Sequence, residues 1–401
     1  MSTTDLSNFI SGEDVNTFGL HFICTPDTKV LTEKVRDQCQ SLLNLARENA
    51  DQSARSEQVT LEIIEDYESF ACGESISTLQ KSVRWKHVYL FSDPSWDFIT
   101  KNERERLEKI KSFWIENSMG QELLMSLQQW ISKWLNNKFL HDLLLLASIR
   151  DNWASSTNLV QSCVPYARQD KTTPDKRQSA SIDIIWEWIS NITWYRWYAI
   201  SMDLHNPASR WAFKKTNFID LYTWWLIGEV IERTSLKKNN ITLSPADEGW
   251  LKSIKGIAKV NKLKNIVVIK GRDYSQMNTT EEIDIYGDIE WKDVIIKDDM
   301  LDTWWTMATL LREMLKKNPR SINIVITHGM LNWPAKDRLR EVKEESNWVI
   351  QKLYITDSIN KQNLPDFIEV IGTKNILANT ITSIYKWLSI NRWDNIDYTK
   401  K

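Results

Sequence analysis

Glycine is scarce in this chain. It supplies 11 of 401 residues, where an average composition would supply about 28. Cysteine is sparse too: Cys24, Cys39, Cys72 and Cys163 are scattered and form no CxxC pair. That excludes a zinc ribbon or a dithiol redox motif and predicts reduced structural thiols in a cytoplasm. No sign of charge dominates. The formal net charge is −2, which lacks the basic footprint of a nucleic-acid binder. No apolar run reaches the length of a membrane span without a charge. Met1 to Ile10 lacks the basic and then apolar pattern of a signal peptide.

What is present is an ordinary globular composition, 42% apolar and 26% charged. The length exceeds one typical domain and suits two. Tryptophan is in excess, with 21 residues. Glycine and tryptophan together match an ordinary glycine share plus a few tryptophans.

Periodicity predicts an α/β chain. Thr28 to Asn49 reads as an amphipathic helix, and Val59 to Asp66 and His87 to Phe91 as strands. Trp96 to Trp134 is charged and then mixed helical, and Leu140 to Ala147 continues as an apolar helix face. Leu159 to Pro165 and Ala199 to Leu204 read as strands on either side of a helix at Ile182 to Ile189. In the second half, Ile241 to Ser244, Asn265 to Ile269, Asp293 to Ile296 and Ile322 to Thr327 read as strands, with a helix at Thr306 to Lys317. Alternating strands and helices predict parallel sheets flanked by helices. Functional loops then lie at the strands' carboxyl ends, after Leu204, Ser244, Ile296 and Thr327. A domain boundary is placed near Leu221.

Val294 to Thr306 reads VIIKDDMLDTWWT. A strand runs into Asp298 and Asp299, then Asp302, Thr303 and Thr306 precede a helix. Free N–H groups and the positive dipole end at such a junction suit a phosphate. Paired carboxylates suit the vicinal hydroxyls of a ribose. The competing reading is a solvated acidic turn with a helix cap.

This segment resembles the phosphoribosyl pyrophosphate loop of type I phosphoribosyltransferases and synthetases, DDxxDTGGT. Trp304 and Trp305 stand where that family has small residues, usually glycine. The same displacement recurs. VRWK (Val83–Lys86) resembles VRGK, and GDIEWKD (Gly287–Asp293) resembles GDVxGKD. THGMLNWPA (Thr327–Ala335) resembles THGxxSGPA. DEGW (Asp247–Trp250) resembles DxGG, and SRWAF (Ser209–Phe213) resembles IQGFF. Trp85, Trp211, Trp250, Trp291 and Trp333 thus also occupy glycine positions. The pattern is that of a gene whose UGA codons specify glycine, translated with tryptophan there.

Four more segments narrow the resemblance to the phosphoribosyl pyrophosphate synthetases. FACGE (Phe70–Glu74) is similar to the FxDGE segment that reaches adenine, with Cys72 in place of Asp. It implies ATP contacts from Phe70, Cys72, Gly73 and Glu74. PYARQDK (Pro165–Lys171) implies phosphate and nucleotide contacts from Arg168 and Gln169. MDLH (Met202–His205) implies that His205 lies at the ATP and, with Asp247, holds Mg²⁺; an alternative register would put Ala246 in the metal position. IKGR (Ile269–Arg272) implies a catalytic Lys270 assisted by Arg272. Ribose 5-phosphate would be held by Asp298, Asp299, Asp302, Thr303, Thr306 and the backbone at Trp304 and Trp305.

The resemblance implies two tandem type I phosphoribosyltransferase-like domains, 1–221 with an insertion near 96–135 and 222–401. Each would carry a mainly parallel sheet flanked by helices. It also implies a homo-oligomer that transfers a diphosphoryl group from Mg-ATP to ribose 5-phosphate. The alternatives are a type I phosphoribosyltransferase and a non-catalytic synthetase-like subunit.

Overall fold

The computed structural model describes residues 19–48, 58–65, 68–69, 74–93, 136, 138–172, 177–193, 197–213, 215–271, 282–332, 335–361 and 363–386. The chain divides into two compact units. One comprises Met1–Leu221 with Lys374–Lys401, the other Tyr222–Thr373.

The first unit is built on six parallel strands: β1 (Leu20–Cys24), β2 (Thr60–Ile63), β5 (His87–Phe91), β6 (Ser156–Val160), β7 (Tyr198–Met202) and β8 (Asn217–Leu221). Their order is β2-β1-β5-β6-β7-β8. Helix α1 (Lys29–Glu48), a helix over residues 138–151 (α2) and helix α3 (Ser181–Ile192) flank them. On α3, Ile182, Ile185, Trp186 and Ile189 are buried, the i, i+3, i+4, i+7 stripe of a helix facing a core. Strands β3 (Glu68–Ser69) and β4 (Ser75–Ile76) form a small antiparallel pair.

The second unit repeats the plan. Its sheet runs β10-β9-β13-β14-β15-β16, from β9 (Ile241–Pro245), β10 (Lys264–Asn265), β13 (Asp293–Leu301), β14 (Ser321–Gly329), β15 (Ile350–Thr356) and β16 (Ile368–Ile371). All neighbours are parallel. Helices α4 (Trp225–Thr234), α5 (Leu251–Asn261), α6 (Trp305–Leu315) and α7 (Ala335–Glu345) cover the faces. Every residue of β14 is buried, the continuous apolar pattern of a central parallel strand. Each of its fully buried isoleucines, Ile322, Ile324 and Ile326, contributes roughly 2 kcal/mol of hydrophobic stabilisation. Strands β11 (Val267–Gly271) and β12 (Glu282–Tyr286) make a separate antiparallel hairpin.

Three expectations change. Leu159 to Pro165 is not one strand: β6 ends at Val160, and residues 165–168 form a turn. The strand expected at Asp293 to Ile296 continues to Leu301, because Met300 and Leu301 pair with His328 and Gly329. Asp298 and Asp299 therefore belong to the strand end, not to the loop. The last helix, α8 (Lys374–Tyr385), falls with the first unit and not with the second. There Cys39 Sγ on α1 lies 3.7 Å from the Ala378 carbonyl.

In both sheets the strand order reverses direction at one point, between β1 and β5 and between β9 and β13. Crevices at the carboxyl ends of such strands are where open α/β sheets bind ligands.

Candidate functional site

Asp247, Asp298 and Asp299 crowd the switch point of the second sheet. Asp247 follows β9, and the other two lie in the carboxyl-terminal half of β13. Asp298 Oδ1 accepts the Asp299 N–H at 2.9 Å. Burial first, then the Asp299 charge and that of Asp247, push the Asp298 carboxyl well above the usual carboxylate range. Lys297 lies beside them, fully buried, its Nζ donating to the Asp298 carbonyl at 2.8 Å and to Thr327 Oγ1 at 2.7 Å. Thr327 Oγ1 also shares a hydrogen bond with Thr223 at 2.8 Å.

The loop from Asp302 to Trp304 leads into α6, whose first N–H groups and positive dipole end favour an anion. Asn332 Nδ2 donates to Asp302 Oδ1 at 2.8 Å, and Arg338 Nη1 donates to the Thr303 carbonyl at 3.0 Å. Thr303 is half-buried and Thr306 exposed.

Three indoles occupy this place. Trp250 Nε1 donates to Asp299 Oδ1 at 3.0 Å, and Lys297 Nζ lies 4.7 Å from the Trp250 ring centre. The Trp305 ring lies under the Arg338 guanidinium at 3.2 Å. Trp304 is buried at φ 75°, and its indole N–H has no acceptor. One carboxylate of the pair is thus engaged by an indole, and two more indoles stand at the entry to α6.

In the first unit, the Pro165–Lys171 loop after β6 meets the loop after β7. Asp170 Oδ2 accepts hydrogen bonds from Asn206 Nδ2 and from Ser209 Oγ, the latter at 3.3 Å. Arg168 and His205 are exposed. Gln169 Oε1 accepts from Ser181 Oγ at 2.7 Å, at the start of α3. Asp220 braces the same loops: its Oδ1 accepts the Leu204 N–H at 3.0 Å and its Oδ2 accepts Arg210 Nη2 at 2.9 Å.

Burial pushes the Asp220 carboxyl up from 3.8 to about 6, against the pull of Leu204 and Arg210. A carboxyl raised on folding stabilises below its ordinary value, and that contribution is lost as pH rises through about 6. The change is on the order of 3 kcal/mol. The Asp220→Asn variant is expected to lose less stability than the parent as pH rises from 4 to 6.5. Thermal melts across that range check this, and parallel curves for the two proteins would refute it.

Of the other sequence-derived residues, Glu74 is exposed just before β4, and Lys270 lies on β11, paired with Ile283. Phe70, Cys72, Gly73, Arg272, Trp333 and the stretch from Trp96 to Trp134 lie outside the described residues. His205 belongs to the first unit and Asp247 to the second. Among the described residues, no group of three or more His, Cys, Asp or Glu is arranged to hold a metal ion, and no helix is long and apolar enough to cross a membrane.

Sequence reasoning missed two polar clusters. One is Lys297 with Thr327 and Thr223. The other sits at the first sheet's switch point, where buried Lys138 Nζ donates to Thr25 Oγ1 at 3.1 Å and to Asp142 Oδ1 at 2.9 Å, and Ser92 bonds Asp142. Asp27 lies in the same cluster, its carboxyl raised first by burial. A lysine inside an apolar strand was the available signal for the first. The second joins residues up to 113 positions apart, which no local pattern reveals.

No family model matches the chain. Curated relatives do. The ribose-phosphate pyrophosphokinase of Campylobacter jejuni is 27% identical over 261 residues, covering 64% of this chain and 78% of that protein. Ribose-phosphate pyrophosphokinase 1 of Streptococcus pneumoniae is 26% identical over 274 residues, covering 68% and 82%. The Helicobacter hepaticus ribose-phosphate pyrophosphokinase is 28% identical over 261 residues, covering 64% and 78%. Among solved structures, the phosphoribosylpyrophosphate synthetase of Mycobacterium smegmatis superposes with a TM-score of 0.67 at 18% identity, over 92% of this chain and 99% of that one. That likeness establishes the fold.

Proposed function

We propose that the chain acts as a ribose-phosphate pyrophosphokinase and transfers the diphosphoryl group of Mg-ATP to the C1 hydroxyl of ribose 5-phosphate. The observation that carries this reading is the second sheet's switch point. Asp298 and Asp299 lie near the carboxyl end of β13 there, and Asp302 and Thr303 lead into the N-terminus of α6.

In this reading Asp298 and Asp299 accept hydrogen bonds from the ribose hydroxyls. Thr303, Thr306 and the N–H groups of residues 304–306 hold the 5-phosphate. Arg168 and Gln169 take the ATP phosphates and base, with Phe70, Cys72, Gly73 and Glu74 toward the adenine. The C1 oxygen attacks the β-phosphorus in line and forms the new O–P bond. The bond from that phosphorus to the oxygen shared with the α-phosphate breaks, and AMP leaves with that oxygen. The hydroxyl proton passes to solvent. Lys270 and Arg272 stabilise charge on the transferring group. Catalysis is then mainly positioning.

A divalent cation would be drawn to this strand end by charge, although the described residues hold no preformed set of three or more ligands. The three carboxylates around Asp298 place a charge load at one strand end, and a hard cation bound there would offset it. Asp247 would contribute to holding Mg²⁺, whose chemistry is to neutralise phosphate charge. Assembly as a homo-oligomer and a cytoplasmic location belong to the same proposal.

The test is product analysis with Trp250, Trp304 and Trp305 replaced by glycine. Formation of AMP, but not ADP, that requires both ribose 5-phosphate and Mg-ATP is expected. Release of pyrophosphate from phosphoribosyl pyrophosphate and a nucleobase would instead assign the chain to the transferases. A well-folded protein silent in both assays favours the non-catalytic subunit, the reading that the Trp250 to Asp299 hydrogen bond supports.

A further inference from the structure

Trp85, Trp153, Trp291, Trp304 and Trp348 all sit at positive φ, between 56° and 75°. There an L side chain brings its Cβ against the backbone, and only glycine enters freely. Asparagine and aspartate are the usual exceptions, and Asn318, Asn347, Asn363 and Asp203 supply them here, while Tyr166, Ser235, Lys262 and Leu331 are single instances of their types. Tryptophan has no short polar group to compensate locally, yet it is the most frequent type in this set. Among the described glycines, Gly287 alone has such a φ. The residue type and the backbone have changed places.

Burial does not compensate. Trp85, Trp153, Trp291 and Trp348 expose 48% to 78% of their surface. Trp304 is buried, and its indole N–H lacks an acceptor, as does that of Trp186, so for Trp304 the left-handed backbone is the distinguishing observation.

Each position is a turn or cap whose geometry wants glycine. Trp153 follows the helix over 138–151 and donates its N–H back to the Arg150 carbonyl at 3.1 Å, a helix stop that favours glycine. Trp348 follows α7 and precedes Val349, whose N–H returns to the Ser346 carbonyl at 3.0 Å. Trp85 N–H reaches the Trp153 carbonyl at 2.9 Å, and Trp291 N–H the Asn318 carbonyl at 3.0 Å. Trp186 and Trp197 differ. They are buried, their rings stack at 6.5 Å, and neither has a positive φ.

We propose that positions 85, 153, 291, 304 and 348 carry glycine in the functional protein, and that Trp186 and Trp197 are genuine tryptophans. Positions 153 and 348 lie outside every motif that suggests a glycine, so they are assigned by the left-handed backbone together with the recurrence of tryptophan there. Nothing in this inference depends on the reaction proposed above.

Peptide mass mapping of the protein isolated from the cells that encode it is expected to find glycine at all five positions and tryptophan at 186 and 197. Tryptophan at any of the five, or glycine at 186 or 197, overturns the assignment. A second measurement uses recombinant protein. The quintuple variant W85G/W153G/W291G/W304G/W348G is expected to melt on the order of 10 °C above the chain as written, and W186G to melt below it. A quintuple variant that melts no higher than the parent overturns the proposal.

Discussion

A chain carrying glycine at 250, 304 and 305 is expected to form AMP from Mg-ATP and ribose 5-phosphate at least about 100-fold faster than the same chain with three indoles. The effect has three sources. Removing Trp250 frees Asp299 Oδ1, which now accepts the indole N–H, and uncovers Lys297. Removing Trp305 takes away the ring that lies against Arg338. Removing Trp304 relieves a left-handed tryptophan at the entry to α6. A phosphate must approach backbone N–H groups to about 3 Å, a distance a side chain of indole size does not leave. A misplacement of about 1 Å alone costs on the order of 100-fold in rate. Steady-state kinetics of the triple variant, with the fold checked by circular dichroism, decide the matter. A folded triple variant no faster than the parent would show that the indoles are not the obstacle.

The parts of this site that were legible in the sequence are those carried by side-chain chemistry in a short run. Asp298, Asp299, Asp302, Thr303 and Thr306 lie within nine positions, and the apolar residues before them mark the strand. The strand's true end at Leu301 was not legible, because it depends on pairing with His328 and Gly329. Lys297 was passed over for a related reason. A lysine in an apolar run reads as the edge of a strand, yet here Thr327 and a carbonyl satisfy it inside the unit. Backbone handedness was legible only through resemblance, which pointed to Trp85, Trp291 and Trp304. Trp153 and Trp348 needed the dihedral angles. Trp250 and Trp305 are a separate case, since Trp250 has an ordinary φ of −84°. Its conflict is with the site and not with its own backbone. The grouping of α8 with the first unit rests on packing such as Cys39 against Ala378, more than 300 positions apart, beyond any local pattern.

In the glycine background, Asp299→Asn is expected to make the protein more stable and less active at once. Asp298 and Asp299 are adjacent carboxyls at one buried strand end, and after burial the Asp299 charge does most to push Asp298 up. Two like charges so close cannot both ionise cheaply. Because the Asp298 carboxyl is raised on folding, its contribution to stability is present below the ordinary carboxylate value and is lost as pH rises through the folded value. At neutral pH the parent therefore carries this cost, and the amide removes its source. The variant should melt higher than the parent at pH 7, with the difference shrinking toward pH 4. If the pair accepts the ribose hydroxyls, the same change replaces one of its four oxygens with an NH2 donor and removes a charge, and kcat/KM for ribose 5-phosphate should fall about 100-fold. A stability gain with unchanged kinetics would make the pair a structural burden without a role in binding. A kinetic loss with no gain in stability would mean that the strand end tolerates both charges, for instance through Lys297. Opposite changes in the two quantities are what a substrate site built from repelling carboxylates requires, since selection keeps such a pair only where binding relieves it.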